Sequence, residues 1–489
     1  MASDGFSRGQ KFVLSVMALA LIGLLVLLGT LVSRNEPVSP LPTLLLPLPG
    51  TPVDTAVPSA PPYENEGGET PPGMVITQLP PTPGPPGGVA EVLAARRIKA
   101  LVQNVGQIRE LPKQQEVPLN FLSDSDLSAF LRRLLYSLEY QEAAERQHVL
   151  FSALDLLPAP GEDFAPSVRT RARQLIAFYD TAEAQIFVST SGRDSDPPDF
   201  SLVHQYAHAL INQHFNLIAL TSDAPNMDAA QARDALFEGD ATSVLAIHRF
   251  GDVAQADLDA LATHLYEVEL TDYEGLPLSR DMRDLYAFPY REGARFVRAL
   301  LDAGWWPAVN AAYLDPPVST EQILHPEKYI ETPRDMPRTV FLTDLGEDLG
   351  EGWRLVGQYV LGELVLRVHL DKYLPDTLEA HAAAAGWDGD LAVIWQDLDG
   401  REVLVMRSTW DNMIEADEFV RGYTTLIDRR LRGASRVLRP IVPAGGRWWR
   451  GGAGNAGNAY IQRQGNIVLI IWAPDTAIME RVLAVFVLD

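Results

Sequence analysis

FSLVHQYAHALINQHFNL (residues 200–217) reads as an amphipathic helix that carries His204 and His208. Residues four apart share one helix face, about 6 Å apart along the axis. Two imidazoles placed this way can converge on one metal ion, which is the geometry behind the HExxH zinc motif. The alternative for such a pair is two histidines on a packed face, each satisfied by hydrogen bonds. Here the residue after the first histidine is Gln205, where the zinc motif has Glu.

The composition narrows what such a site can be. The chain of 489 residues has no cysteine. Disulfides, thiolate nucleophiles and thiolate metal sites are therefore excluded, and any metal must be held by His, Asp or Glu. The net charge of −24 argues against nucleic acid or anionic lipid as the main partner. The length is enough for two or three domains with a large buried core.

Upstream, residues 12–32 (FVLSVMALALIGLLVLLGTLV) are uncharged and mostly apolar. At about 1.5 Å per residue they match the hydrocarbon layer of a bilayer. A cleaved signal peptide would have a shorter apolar run and a small-residue cleavage site, so the expectation is an uncleaved transmembrane anchor. Arg8 and Lys11 precede the run and Arg34 follows it. That bias puts residues 1–11 in the cytoplasm and the rest of the chain outside. Residues 33–88 hold sixteen of the 36 prolines. Such a segment is extended and buries no core, so a semi-rigid linker is expected; a ligand for proline-reading domains is the alternative.

Order is expected from about residue 89. Helical spacing runs over 90–111, a short strand over 117–123, and helices over about 123–139, 141–156 and 166–179. Residues 184–191 read as a strand leading into the histidine helix. A strong helix begins near Met227, another covers 254–266, and 277–329 reads as helix, turn, helix and a proline-punctuated loop. Beyond about Glu351, helices are expected at 352–370, 377–385, 411–431 and 475–486. Two hairpins turn at Asp399-Gly400 and Gly465-Asn466. The fold class expected is α+β: a mainly helical domain (89–345), then a smaller α+β domain (346–489) with an antiparallel sheet.

Two segments together sharpen the functional reading. HQYAHALINQHF (204–215) followed by EGDA (238–241) resembles the gluzincin metallopeptidases. The pair is also similar to a narrower group of bacterial extracytoplasmic proteins with an HExxHALQDQHF-like helix. The likeness extends through FYDTAEAQIFV (178–188), FPYREGARFV (288–297), PPVSTEQILHPEKY (316–329) and GWDGD (386–390). It implies that His204, His208 and Glu238 are zinc ligands, which fits the three N/O ligands of catalytic zinc sites. Asp234 and Asp240 become candidates to accept the free ring N–H of a ligand histidine; solvated helix-surface acids are the alternative. His214, six residues after His208, falls on another face.

Gln205 sits where the resemblance puts a general base. An amide cannot take the proton of an attacking water, and losing a general base costs roughly 10²–10⁴ in rate. Glu292 and His325 are candidates for a relocated base, and Tyr290 or His325 for stabilising an oxyanion. Trp305-Trp306 and Trp448-Trp449 suit packing, or stacking on a sugar or peptide. The resulting expectation is an anchored, extracytoplasmic, zinc-binding protein with impaired peptidase activity that binds a peptide or protein. The alternatives are an active peptidase with a relocated base and a metal-free surface scaffold.

Overall fold

A computed structural model describes residues 89–123, 125–127, 129–130, 148–156, 177–181, 183–189, 198–270, 280–437, 445–451 and 457–486. The expected cytoplasmic segment, anchor and linker (1–88) lie outside these residues, as do most of the helices expected at 123–139 and 166–179. Among the described residues no helix is long and apolar enough to cross a membrane.

In chain order the first elements are α1 (Val89–Arg109), β1 (Leu119–Leu122), β2 (Ala177–Asp180), β3 (Gln185–Ser189), α2 (Pro198–His214) and α3 (Leu217–Ser222). Next come α4 (Met227–Phe250), α5 (Leu258–Leu270), α6 (Arg280–Leu314), α7 (Thr320–Leu324), α8 (Pro326–Ile330) and α9 (Gly346–Leu349). The remainder is β4 (Arg354–Tyr359), α10 (Gly362–Asp371), α11 (Thr377–Ala384), β5 (Trp387–Gln396), β6 (Glu402–Trp410) and α12 (Met413–Arg430). It closes with β7 (Ser435–Val437), β8 (Gly446–Arg450), β9 (Asn458–Gln464), β10 (Ile467–Ala473) and α13 (Thr476–Phe486).

α4 is the axis of the helical part. The Asn226 side chain accepts from Ala229 N and caps its start, and Gly251, at φ 84°, ends it by returning its N–H to Ile247 O. Every residue from Met227 to Ala246 is buried. Alanines and Gly239 let neighbouring helices approach on all sides. α6 crosses at the closest range: a Cβ on Gly239 would lie 2.1 Å from Gly293 C, and one on Gly293 would lie 2.1 Å from Ala235 O. The two helices therefore touch backbone to backbone, a contact that only paired glycines permit.

Three local expectations are corrected. Residues 177–179, expected to close a helix, lie in a strand. β2 pairs antiparallel with β3 in a sheet of order β1-β3-β2, and the cross-strand partners Phe178 and Phe187 stack at 5.0 Å. That aromatic pair across a tight turn outweighs the helical spacing upstream. The turn expected within 277–329 is instead a kink in α6, where Gly304 and Trp305 leave helical geometry. Trp306 is buried beneath Arg109 while Trp305 stays exposed and donates to Glu110. The helix expected at 352–370 is β4 followed by α10. Gly362 at φ 73° separates them, and β4 gains antiparallel pairing with β5.

The architecture is mixed α+β, with a seven-stranded sheet of order β4-β5-β6-β10-β9-β8-β7 in which every neighbour is antiparallel. Both expected hairpins form, with Gly400 and Gly465 at positive φ in their turns. Side chains alternate strictly. Ala392, Ile394, Leu404, Met406 and Trp449 join the core that runs on into the helices, while Val393, Trp395, Val403, Val405 and Trp448 join a smaller one under α9 and α13. Trp448 and Trp449 are thus core residues on opposite faces.

The helical part and the sheet share the larger core and are pinned by buried acids. Asp228 at the start of α4 accepts from the main-chain N–H and the hydroxyl of Thr320. Asp390, in the GWDGD segment, accepts from Leu361 N, Gly362 N and Trp387 Nε1 and so anchors the start of α10. Burial pushes the Asp228 carboxyl up to about 7 and that of Asp390 up to about 6. A carboxyl raised in the folded state adds stability while protonated, so stability falls as pH rises from about 4 toward 7. Asp228→Asn keeps the accepting oxygen and should flatten this loss, worth up to roughly 4 kcal/mol between pH 4 and pH 7. Urea denaturation of both proteins at pH 5 and pH 8 checks it; an equal pH dependence in the two would remove Asp228 as its source.

Candidate metal centre

α2 and α4 bring three donors to one buried point. His204, His208 and Glu238 are 2, 5 and 9% exposed. Glu238 Oε2 lies 3.0 Å from His204 Nε2 and 3.2 Å from His208 Nε2, and the two Nε2 atoms are 3.0 Å apart. Three ligands bound tetrahedrally at about 2.0–2.1 Å would sit about 3.4 Å from one another, so a small shift admits an ion. These side chains are a group able to hold a metal.

The protonation states suit that purpose. Burial pushes the His204 ring below its ordinary value and favours the neutral imidazole. Burial opposes ionisation of Glu238, but its contacts with the His208 and His204 rings outweigh it and hold the carboxyl well below its usual range. A neutral histidine and an ionised carboxylate are the forms that bind metals. Phe237 packs edge-on to His208 at 5.2 Å, and the Tyr290 ring lies 6.0 Å from His204.

Gln205 flanks the pair, half-buried, and its Oε1 accepts from Tyr179 N on β2 at 2.7 Å. Asn212, two turns on, donates to Tyr179 Oη and to Thr181 O. The helix is therefore strapped along β2 by two amide side chains. The end of the motif serves packing. Gln213 ties down the main chain of Gln114 and Gln115, and His214 reaches Pro112 O at 2.8 Å.

The other sequence candidates divide. Asp234 is buried on α4 one turn before Glu238. Asp240, expected to accept a histidine ring N–H, instead accepts from Arg109 Nε at 2.8 Å and from Tyr313 Oη at 3.0 Å. Its buried ion pair with Arg109 joins α1 to α4, and the Tyr313 hydroxyl ties in α6. Glu292 is about 200° around α6 from Tyr290 and is engaged by Arg291 and Arg295. It lines a separate open pocket with Asp284, Arg367 and His381. His325 closes α7 through its N–H to Glu321 O, and its Nε2 lies 3.1 Å from Glu363. Of the candidate helpers, Tyr290 is the one whose ring lies against the triad.

Sequence reasoning missed the paired glycines and a second acidic group. Glu321, Asp335 and Asp411 also converge, but Lys328 Nζ sits among them at 2.7, 3.0 and 2.8 Å. An ammonium fills the place a cation would take. Asp411 is 83 residues from Lys328, so local sequence gives no signal for the group. The glycines were visible in EGDA and REGAR, each following a Glu inside a helical pattern.

With the geometry in hand, the comparison with known families falls on the other half of the chain. Residues 353–483 match the model of a domain of unknown function, DUF8575. That stretch runs from the start of β4 into α13 and leaves out His204, His208 and Glu238. No curated protein and no solved structure matches the chain. The chemistry of the triad therefore rests on its residues.

Proposed function

We propose that His204, His208 and Glu238 hold a zinc ion in an anchored, extracytoplasmic, gluzincin-like protein whose peptidase activity is impaired, and which acts by binding a peptide or protein. The observation that carries this reading is the convergence of three buried donors from two helices within 3.0–3.2 Å of one another. Two nitrogens and one oxygen suit zinc and leave a fourth position for a ligand. The apolar run at 12–32 and the proline-rich segment after it support the anchored placement.

Zinc bound there would polarise a carbonyl oxygen or a water. The residues of this chain then decide how far hydrolysis can go. Tyr290 stands beside His204, where its side chain can line the ligand position. Gln205 offers no basic group at the place where a water must lose its proton. Glu292 and His325 are engaged with Arg291, Arg295 and Glu363, which argues against either as a relocated base.

Metal analysis of the purified full chain tests the site. About one zinc per chain is expected, and essentially none in His204→Ala. A wild-type chain without stoichiometric metal would sink the proposal. Gln205→Glu tests the impairment: peptide hydrolysis should rise by roughly 10² or more. A wild type that already cleaves peptides as fast as this variant would show that no base is missing.

A further inference from the structure

Gln205 does more than lack a basic group. Its Oε1 accepts from Tyr179 N at 2.7 Å, and a main-chain N–H can only donate. That bond fixes the amide with its oxygen end toward β2. The Nε2 end keeps both hydrogens and finds no acceptor among the described residues. The side chain is half-buried, so part of it stays open to solvent. The position that holds a proton acceptor in HExxH sites here holds an oriented donor.

Charge points the same way. A divalent ion and the Glu238 carboxylate leave one net positive charge at the triad, because Gln205 is neutral. A glutamate at that position would cancel it. A donor beside a positive centre is complementary to a carboxylate, since hydrogen bonds to charged acceptors are the strong ones. We infer that Gln205 makes the triad a carboxylate-binding site, suited to the free C-terminus of a peptide. This rests on the metal reading above, and it names the ligand class of that site.

The test uses the full chain loaded with Co²⁺, whose visible absorption reports what enters the coordination sphere. The probes are N-acetyl-dialanine, its C-terminal amide, and acetate. The wild type should bind the peptide acid roughly 10-fold or more tighter than the amide. Gln205→Glu retains an acceptor for Tyr179 N, so it should fold and keep its metal while losing that preference. Gln205→Ala should fall between the two. Acetate binding weaker than the peptide acid supports a peptide terminus; acetate binding equally well supports a carboxylate site that does not read the peptide. Equal binding of acid and amide by the wild type, or undiminished acid binding by Gln205→Glu, overturns the inference while leaving the metal site standing. A chain that takes up no metal overturns both.

Discussion

Gly293→Val should yield little or no folded protein. A Cβ at this position would lie 2.1 Å from Ala235 O and 2.9 Å from Ala235 C, both main-chain atoms of α4. No side chain can rotate away to relieve the contact. α4 is buried from Met227 to Ala246 and held on its other faces by α1, α2 and α7, so it cannot retreat without opening the core. Overpacking a core typically costs about 1–3 kcal/mol, and a backbone clash belongs above that range. That is a large share of the roughly 5–15 kcal/mol by which domains are stable. Gly293→Ala and Gly239→Ala should each be severe, because a Cβ on Gly239 meets Gly293 C at the same 2.1 Å. Soluble yield and urea midpoints give the comparison. Gly400→Asn makes a control for the clash alone, since nothing lies within 4 Å of a Cβ there and Asn tolerates the φ of 76° at modest cost. If Gly293→Ala unfolds at the wild-type midpoint, the helices do not cross as closely as described.

The second large effect concerns the metal. Chelation should lower the melting temperature by several degrees, and adding back one equivalent of Zn²⁺ should restore it. A ligand that binds only the folded chain stabilises it by about 4 kcal/mol at a thousandfold excess over its Kd. The effect should be large because the donors come from α2 and α4, so an ion cross-links two helices of the core. In His204→Ala the melting temperature should not respond to chelator or zinc. Unresponsive wild-type protein would mean that the three side chains satisfy one another without an ion.

Much of the site was legible because its signals are local. The spacing of His204 and His208 sets them on one face of α2, and caps at Asn226 and Gly251 bound α4 near the expected place. The hairpins were legible for a similar reason, since their turns use Gly400 and Gly465 at positive φ. Elements that depend on a partner were misread. AFYD and RLVGQY are short and apolar enough to continue a helix, and they became β2 and β4 only by pairing with β3 and β5. Glu292 and His325 were attractive as bases by residue type. Their ionic partners, which include Glu363 from beyond the helical part, redirect them.

The sequence by itself determined the histidine pair, the amide at position 205, the turn glycines, the alternation of the central strands and the apolar run at 12–32. Each follows from chemistry within a few residues of chain. The resemblance already pointed to Glu238 as the partner of the histidines. Tertiary structure alone decided that Asp240 is taken by Arg109 and that Lys328 fills the acidic group around Asp411. It also decided that Gln205 turns its oxygen to β2 and that Gly239 and Gly293 meet. The physical reason is that donors, acceptors and backbone surfaces choose partners by distance in space. Residues 131 and 83 positions apart, as in Arg109–Asp240 and Lys328–Asp411, become neighbours only when the core closes.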